Sequence, residues 1–220
     1  MLTLLLAGTT LAGPLTIQQG DYGNSSAPEA GDAFGASVAI GDFDCDGRAD
    51  LAVGSPGEDY GGKTDIGIVS VHAFRSGAPS GSPEILFQSG SSSPESGDQF
   101  GGALATGDFD GDGCSDLAVA AINEDWGSVA TAGVISIYHG DKLGMQYDTM
   151  LTESNVGTGV QAYGRFGAAL AVGDFDGDGY DDLAIGEYND NGNAGEVHVV
   201  YGSASGLSAA SADSFTQADT

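Results

Sequence analysis

Residues 34–54 read FGASVAIGDFDCDGRADLAVG, residues 100–120 read FGGALATGDFDGDGCSDLAVA, and residues 166–186 read FGAALAVGDFDGDGYDDLAIG. Phe34-Gly35, Phe100-Gly101 and Phe166-Gly167 follow one another at a step of 66 residues, and Gly41, Gly107 and Gly173 keep that step. A fixed period decides the architecture before local propensity does, because each repeat is one structural unit. Inside a unit the pattern is β rather than helical. Residues 37–40 and 50–53 are short, apolar and bounded by Gly or Pro. A third stretch, rich in β-branched residues, lies at 66–74, 134–138 and 197–201. A fourth, weaker stretch lies at 85–88, 149–152 and 214–217.

Four short strands per unit, joined by Gly-rich turns, form the pattern of a propeller blade. Labelled A to D, they predict an all-β chain of four-stranded antiparallel β-propeller blades. The expected units are 34–99, 100–165 and 166–220, with residues 1–33 as a partial blade or a signal-like N-terminus. Residues 2–7 resemble strand C and residues 15–19 strand D. The rival reading takes residues 2–6 as the apolar core of a secretory signal, against which stand the short core and the missing basic segment. Three blades and part of another are too few to close a ring, since propellers need about four to eight. An incomplete propeller exposes apolar blade flanks, which points to a fragment, a truncated reading frame or a self-assembling piece.

Between strands A and B each unit carries D-x-D-x-D-G-x-x-D. The carboxylates are Asp42, Asp44, Asp46 and Asp50; Asp108, Asp110, Asp112 and Asp116; and Asp174, Asp176, Asp178 and Asp182. Four carboxylates within nine residues repel one another unless a hard cation sits among them. Gly47, Gly113 and Gly179 permit the sharp turn. The backbone carbonyls of Arg48, Cys114 and Tyr180 are the expected seventh-position ligands. Calcium fits best, at about three sites, because it accepts six to eight flexible oxygen ligands. An EF-hand would place Glu at position twelve between two helices, whereas Val53, Val119 and Ile185 stand there inside strand B. Asp181 is an extra acid, read as solvated.

The composition excludes other partners. Thirty-two acidic and five basic side chains give a formal charge of −27. Arg48, Lys63, Arg75, Lys142 and Arg165 are scattered and form no phosphate-binding stripe, so nucleic acid is not expected. No apolar run approaches the ~20 residues of a membrane span. The 38 glycines among 220 residues exceed the usual share of about 7% and suit turns and blade packing.

The Phe-Gly pairs, the Gly-Asp-Phe-Asp segments and the aspartate loops resemble the FG-GAP repeats of the integrin α-subunit β-propeller and its bacterial relatives, over roughly residues 15–220. Gly54-Ser55-Pro56 stands near the Gly-Ala-Pro of the name, whereas Ala120-Ala121-Ile122 and Gly186-Glu187-Tyr188 depart from it. The resemblance implies seven blades with strand A innermost and calcium in the A–B loops on one face. It implies protein ligands on the opposite face, built here from the D–A and B–C loops at 20–33, 55–65, 89–99, 121–132, 153–165 and 187–194. It further implies a non-enzymatic, extracellular or cell-surface module for adhesion or protein binding. The alternatives are an ancillary propeller of a secreted hydrolase and a purely structural, self-associating repeat.

Other motifs read as bland. Residues 57–64 match G-x-x-x-x-G-K-T, but a strand follows where a phosphate loop needs a helix. His72, His139 and His198 share no repeat position and are read as strand-surface residues. Cys45 and Cys114 sit in different loops and are expected as free thiols, since a bridge needs Cα atoms within about 7 Å. Glu58, Asp59, Glu124, Asp125, Glu187 and Asp190 are read as a solvated acidic rim.

Overall fold

The computed structural model describes residues 2–4, 15–19, 28–90, 93–156, 159–189 and 194–217. Most of the signal-like segment and Asp190 lie outside them. The described residues are nearly all-β, as expected, and their main units are four-stranded antiparallel sheets. β1 (Leu2–Leu4) pairs with β2 (Leu15–Ile17) as a two-stranded N-terminal piece. The first sheet holds β3 (Ser37–Gly41), β4 (Asp50–Ser55), β5 (Ile68–His72) and, after the small hairpin β6 (Phe74–Arg75) and β7 (Ala78–Pro79), β8 (Glu84–Leu86). The second holds β9 (Phe100–Gly107), β10 (Asp116–Ala121), β11 (Val134–Asp141) and β12 (Gly144–Leu151). A short α1 (Glu153–Val156) leads to the third, with β13 (Ala169–Gly173), β14 (Asp182–Glu187), β15 (Glu196–Tyr201) and β16 (Ser208–Thr216). In each sheet the strands run in chain order across the blade.

Two strand expectations need correcting. The first unit's third strand ends at His72 rather than Phe74. Phe74 N–H turns to Asp50 Oδ1 at 2.9 Å, and Ser80 N–H to the Ala73 carbonyl at 2.8 Å, which starts a separate hairpin. The fourth strands of the second and third units begin at Gly144 and Ser208, well before the expected starts. These outer strands are polar on much of their length, so burial does not mark them in sequence.

The core lies between blades. Val69 and Leu86 of the first blade pack with Phe100, Leu117, Val119 and Tyr138 of the second. Ile135 and Leu151 of the second pack with Phe166, Leu183 and Ile185 of the third. β4 and β10 are buried at every residue, and after the leading aspartate both carry only apolar or small side chains. The second and third Phe-Gly pairs each seat on a glycine of the preceding blade. Gly67 has φ +78°, and a β-carbon there would stand 2.1 Å from the Phe100 carbonyl oxygen. Gly133 repeats this against Phe166, at φ +84° and 2.4 Å.

The third blade shows what the junctions cover. Phe43 and Phe109 are 2% and 0% exposed, whereas the equivalent Phe175 is 54% exposed. Val69 opposite Leu86, and Ile135 opposite Leu151, are buried pairs. Their counterparts Val197 and Phe215 are paired in the same way and are exposed. On the first blade, Ile17 packs with Leu51, Val53 and Phe74, while Val38 and Ile40 of β3 stay exposed.

Candidate metal centres

Each aspartate loop is closed at its base by a strand pair of identical type: Gly41 with Asp50, Gly107 with Asp116, Gly173 with Asp182. The first aspartate shapes the turn by accepting backbone N–H groups from further along. Asp42 accepts from Asp46 at 3.0 Å and Gly47 at 2.9 Å. Asp108 accepts from Gly113 at 3.0 Å. Asp174 accepts from Gly177, Asp178 and Gly179 at 2.7, 3.1 and 3.1 Å.

The ninth-position aspartate is a buried clamp in all three loops. Asp50 accepts from Phe43 and Phe74, Asp116 from Phe109 and Gly140, and Asp182 from Phe175 and Gly202. One oxygen thus holds the start of the loop and the other the chain at, or one or two residues past, the end of the third strand. Burial pushes the Asp50 carboxyl above its ordinary value; the Phe74 N–H opposes the rise and the Asp44 charge adds to it.

Carboxylate oxygens converge within 4.8 Å of one another in Asp42, Asp44 and Asp50, in Asp108, Asp110 and Asp112, and in Asp174, Asp176 and Asp182. The remaining fifth-position acids sit differently. Asp46 pairs with Arg48 Nη1 at 2.8 Å, and Asp178 Oδ1 accepts the Tyr180 N–H at 3.0 Å. Asp44 Oδ1, Asp46 Oδ1 and Asp108 Oδ1 are buried without any protein partner. Orphaned carboxylate oxygens beside other carboxylates are costly, and a hard cation is the group that satisfies them. The donor set, all oxygen and mostly anionic, fits calcium. Calcium held there would offset the charge of each loop.

Several site features are unmarked in the repeat pattern. His139 lies in a second cluster with Asp110 and Asp116. Its Nδ1 stands 3.0 Å from Asp116 and 3.4 Å from Asp110, and its Nε2 3.2 Å from Asp148. The Asp116 carboxylate chiefly, with Asp148 and Asp110, pushes the imidazolium up to about 9 against the effect of burial. Arg75 Nη2 takes a similar place in the first blade, 3.4 Å from Asp44. Asp181 is not simply solvated: its Oδ2 accepts the Asp108 N–H at 2.9 Å and its own N–H returns to the Asp108 carbonyl at 3.1 Å. Ser115 and Asp42 make the matching pair one junction earlier, at 3.0 and 2.9 Å.

Three expectations are overturned. Cys45 and Cys114 form a disulfide with Cα atoms 5.2 Å apart, because the Ser115–Asp42 pair draws adjacent loops together. His72 and His198 are buried rather than on the surface, bonded to Ser70 at 3.1 Å and to Ser214 at 2.8 Å. The acidic rim is split. Asp59 and Asp125 are exposed and close turns onto Asp65 and Thr131, but Glu58, Glu124 and Glu187 are buried. Glu124 hydrogen-bonds Asp98, whose carboxyl burial pushes upward, and Glu187 lies 3.6 Å from His198 Nε2. The phosphate-loop look-alike leads into β5, not a helix.

The FG-GAP repeat matches residues 34–72, 100–138 and 166–200, the three A–B–C segments. The chain belongs to the FG-GAP repeat family. Its repeats are similar to integrin alpha-PS2 of Drosophila melanogaster, 31% identical over 83% of this chain and 14% of that protein. They are also similar to integrin alpha-4 of Xenopus laevis, 35% identical over 72% of this chain and 14% of that protein. A third relative is the phosphatidylinositol-glycan-specific phospholipase D of Rattus norvegicus, 33% identical over 69% of this chain and 18% of that protein. The FG-GAP chain therefore spans less than a fifth of the length of these relatives. Among solved structures, a rhamnogalacturonan lyase aligns at 16% identity and a TM-score of 0.44, covering 78% of this chain and 36% of its own, a likeness too slight to bear on function. No helix among the described residues is long and apolar enough to cross a membrane.

Proposed function

We propose that this FG-GAP chain is a non-enzymatic, calcium-binding propeller segment, extracellular or at the cell surface, that serves protein binding or adhesion. Its units are 34–99, 100–165 and 166–220. The observation that carries the calcium reading is the set of buried, unpartnered carboxylate oxygens in the first two aspartate loops, with the carboxylates of the third loop converging in the same way. The disulfide supports an oxidising compartment. The ligand face is the one built from the D–A and B–C loops, opposite the aspartates.

Calcium then acts as a folding ligand. At a hundredfold excess over Kd each independent site adds about 2.7 kcal/mol. Thermal melts with calcium and with chelator are expected to differ by many degrees, and equal midpoints would refute the reading. Asp44→Asn, Asp110→Asn and Asp176→Asn are each expected to remove one ion from the measured stoichiometry.

Two other readings have support of their own. A phospholipase D among the relatives favours an ancillary propeller beside a catalytic domain. The exposed Phe175, Val197 and Phe215 favour self-association, with a second copy presenting its exposed Val38 and Ile40 to that flank. Sedimentation at rising concentration tests the second: Val197→Asp is expected to abolish any dimer, and a monomer at all concentrations refutes it.

A further inference from the structure

We propose that the Cys45–Cys114 disulfide couples the first two metal loops, so that its reduction weakens calcium binding at both and leaves the third loop alone. This rests on the calcium reading of the loops given above. The bridge joins the fourth position of the first loop to the seventh of the second. Cys45 stands between Asp44 and Asp46, whose buried Oδ1 atoms have no protein partner. Cys114 follows Gly113, whose N–H donates to Asp108, and its own N–H donates to Asp112 Oδ1 at 2.8 Å. Its carbonyl is the backbone ligand expected of the second loop. The cross-link thus runs from one ligand set into the next.

The backbone at Cys45 strengthens the case. Its φ is +54°, where the other loops place Gly111 at +72° and Gly177 at +79°. Glycine adopts this left-handed region freely, whereas a β-carbon resists it. The covalent bond holds Cys45 in the conformation the loop requires. Beside it, the two hydrogen bonds between Asp42 and Ser115 make a second point of attachment. The junction between the second and third loops keeps the hydrogen-bonded pair but has no covalent link. There Gly111 packs against the ring of Tyr180. The third loop is therefore an internal control.

With the bridge intact, filling one loop fixes backbone that the other also uses, and the coupling is reciprocal. A dithiol reverses it: two electrons and two protons pass to the cystine, the S–S bond breaks to two thiols, and the dithiol closes to a cyclic disulfide. Cys45 is then free to leave the left-handed region, and the Cys114 segment loses its anchor.

The test is a calcium titration of the full, ¹⁵N-labelled chain, oxidised and after dithiothreitol. Gly47, Gly113 and Gly179 donate to Asp42, Asp108 and Asp174 at 2.9, 3.0 and 3.1 Å, so their amide resonances report the loops one by one. Reduction is expected to weaken the first two loops about tenfold, with the third unchanged. The Cys45→Gly, Cys114→Ser double variant supplies a favourable residue at position 45 without the bridge, and is expected to bind at the first two loops independently of each other. Equal affinities in oxidised, reduced and variant chains overturn the proposal alone, as does an equal loss at all three loops. A chain that binds no calcium in the oxidised form overturns the calcium reading and the coupling with it.

Discussion

Phe109→Ala is expected to lower the unfolding free energy by about 3–5 kcal/mol, while Phe175→Ala, at the same place in the next repeat, costs under about 1 kcal/mol. Phe109 is fully buried in the cluster it shares with Phe166, Leu183 and Ile185 of the third blade. Truncation there removes the ring's transfer free energy and leaves a cavity whose walls are two sheets, neither free to collapse onto the gap. Phe175 is 54% exposed, so most of its ring is already in water. Urea melts of the two variants at one calcium concentration make the comparison, and equal losses would show that the third flank is covered in solution.

Asp116→Ala is expected to cost about 2–5 kcal/mol, and to do so in chelator as well as in calcium. Asp116 is wholly buried and accepts the Phe109 N–H at 2.9 Å and the Gly140 N–H at 3.2 Å. Alanine leaves both donors without an acceptor, and a buried unsatisfied group costs about 1–3 kcal/mol. The same carboxylate faces Asp110 and His139, so its loss also disturbs the metal loop and removes the chief cause of the raised imidazolium. Asp112→Ala separates the two roles: this exposed residue belongs to the loop cluster and accepts only the exposed Cys114 N–H, so its effect is expected to be small in chelator and large with calcium present. If Asp116→Ala melts like the unaltered chain in chelator, the clamp is not structural.

The repeat made the inner half of each blade legible. Strands A and B alternate or run apolar because their side chains enter the inter-blade clusters, and the Gly–Asp base pair of each loop repeats without exception. The outer strands were less legible, since β12 and β16 carry polar residues such as Gln146, Asp148, Ser208 and Ser214 along an exposed edge. The disulfide was hidden for a different reason. Cysteines in separate repeats reveal nothing of the distance between loops, which is set by the sheet-to-sheet packing and by the Ser115–Asp42 pair. Glu58, Glu124 and Glu187 depart from the expectation that charge runs face water. Asp98 beside Glu124, and His198 beside Glu187, show that neighbouring chain segments close over these positions.

The placement of the core between blades has a consequence for how the chain comes apart. Among the described residues both principal clusters draw on two neighbouring sheets. Stability is then a sum of nearest-neighbour terms along a line, as in a row of stacked plates. The middle blade is held on both sides, whereas the third is held on one. Among the described residues opening therefore has a direction, from the Phe175 flank inward, and the Cys45–Cys114 bond stands as a staple on the junction between the first two blades, one step beyond the junction next to that flank.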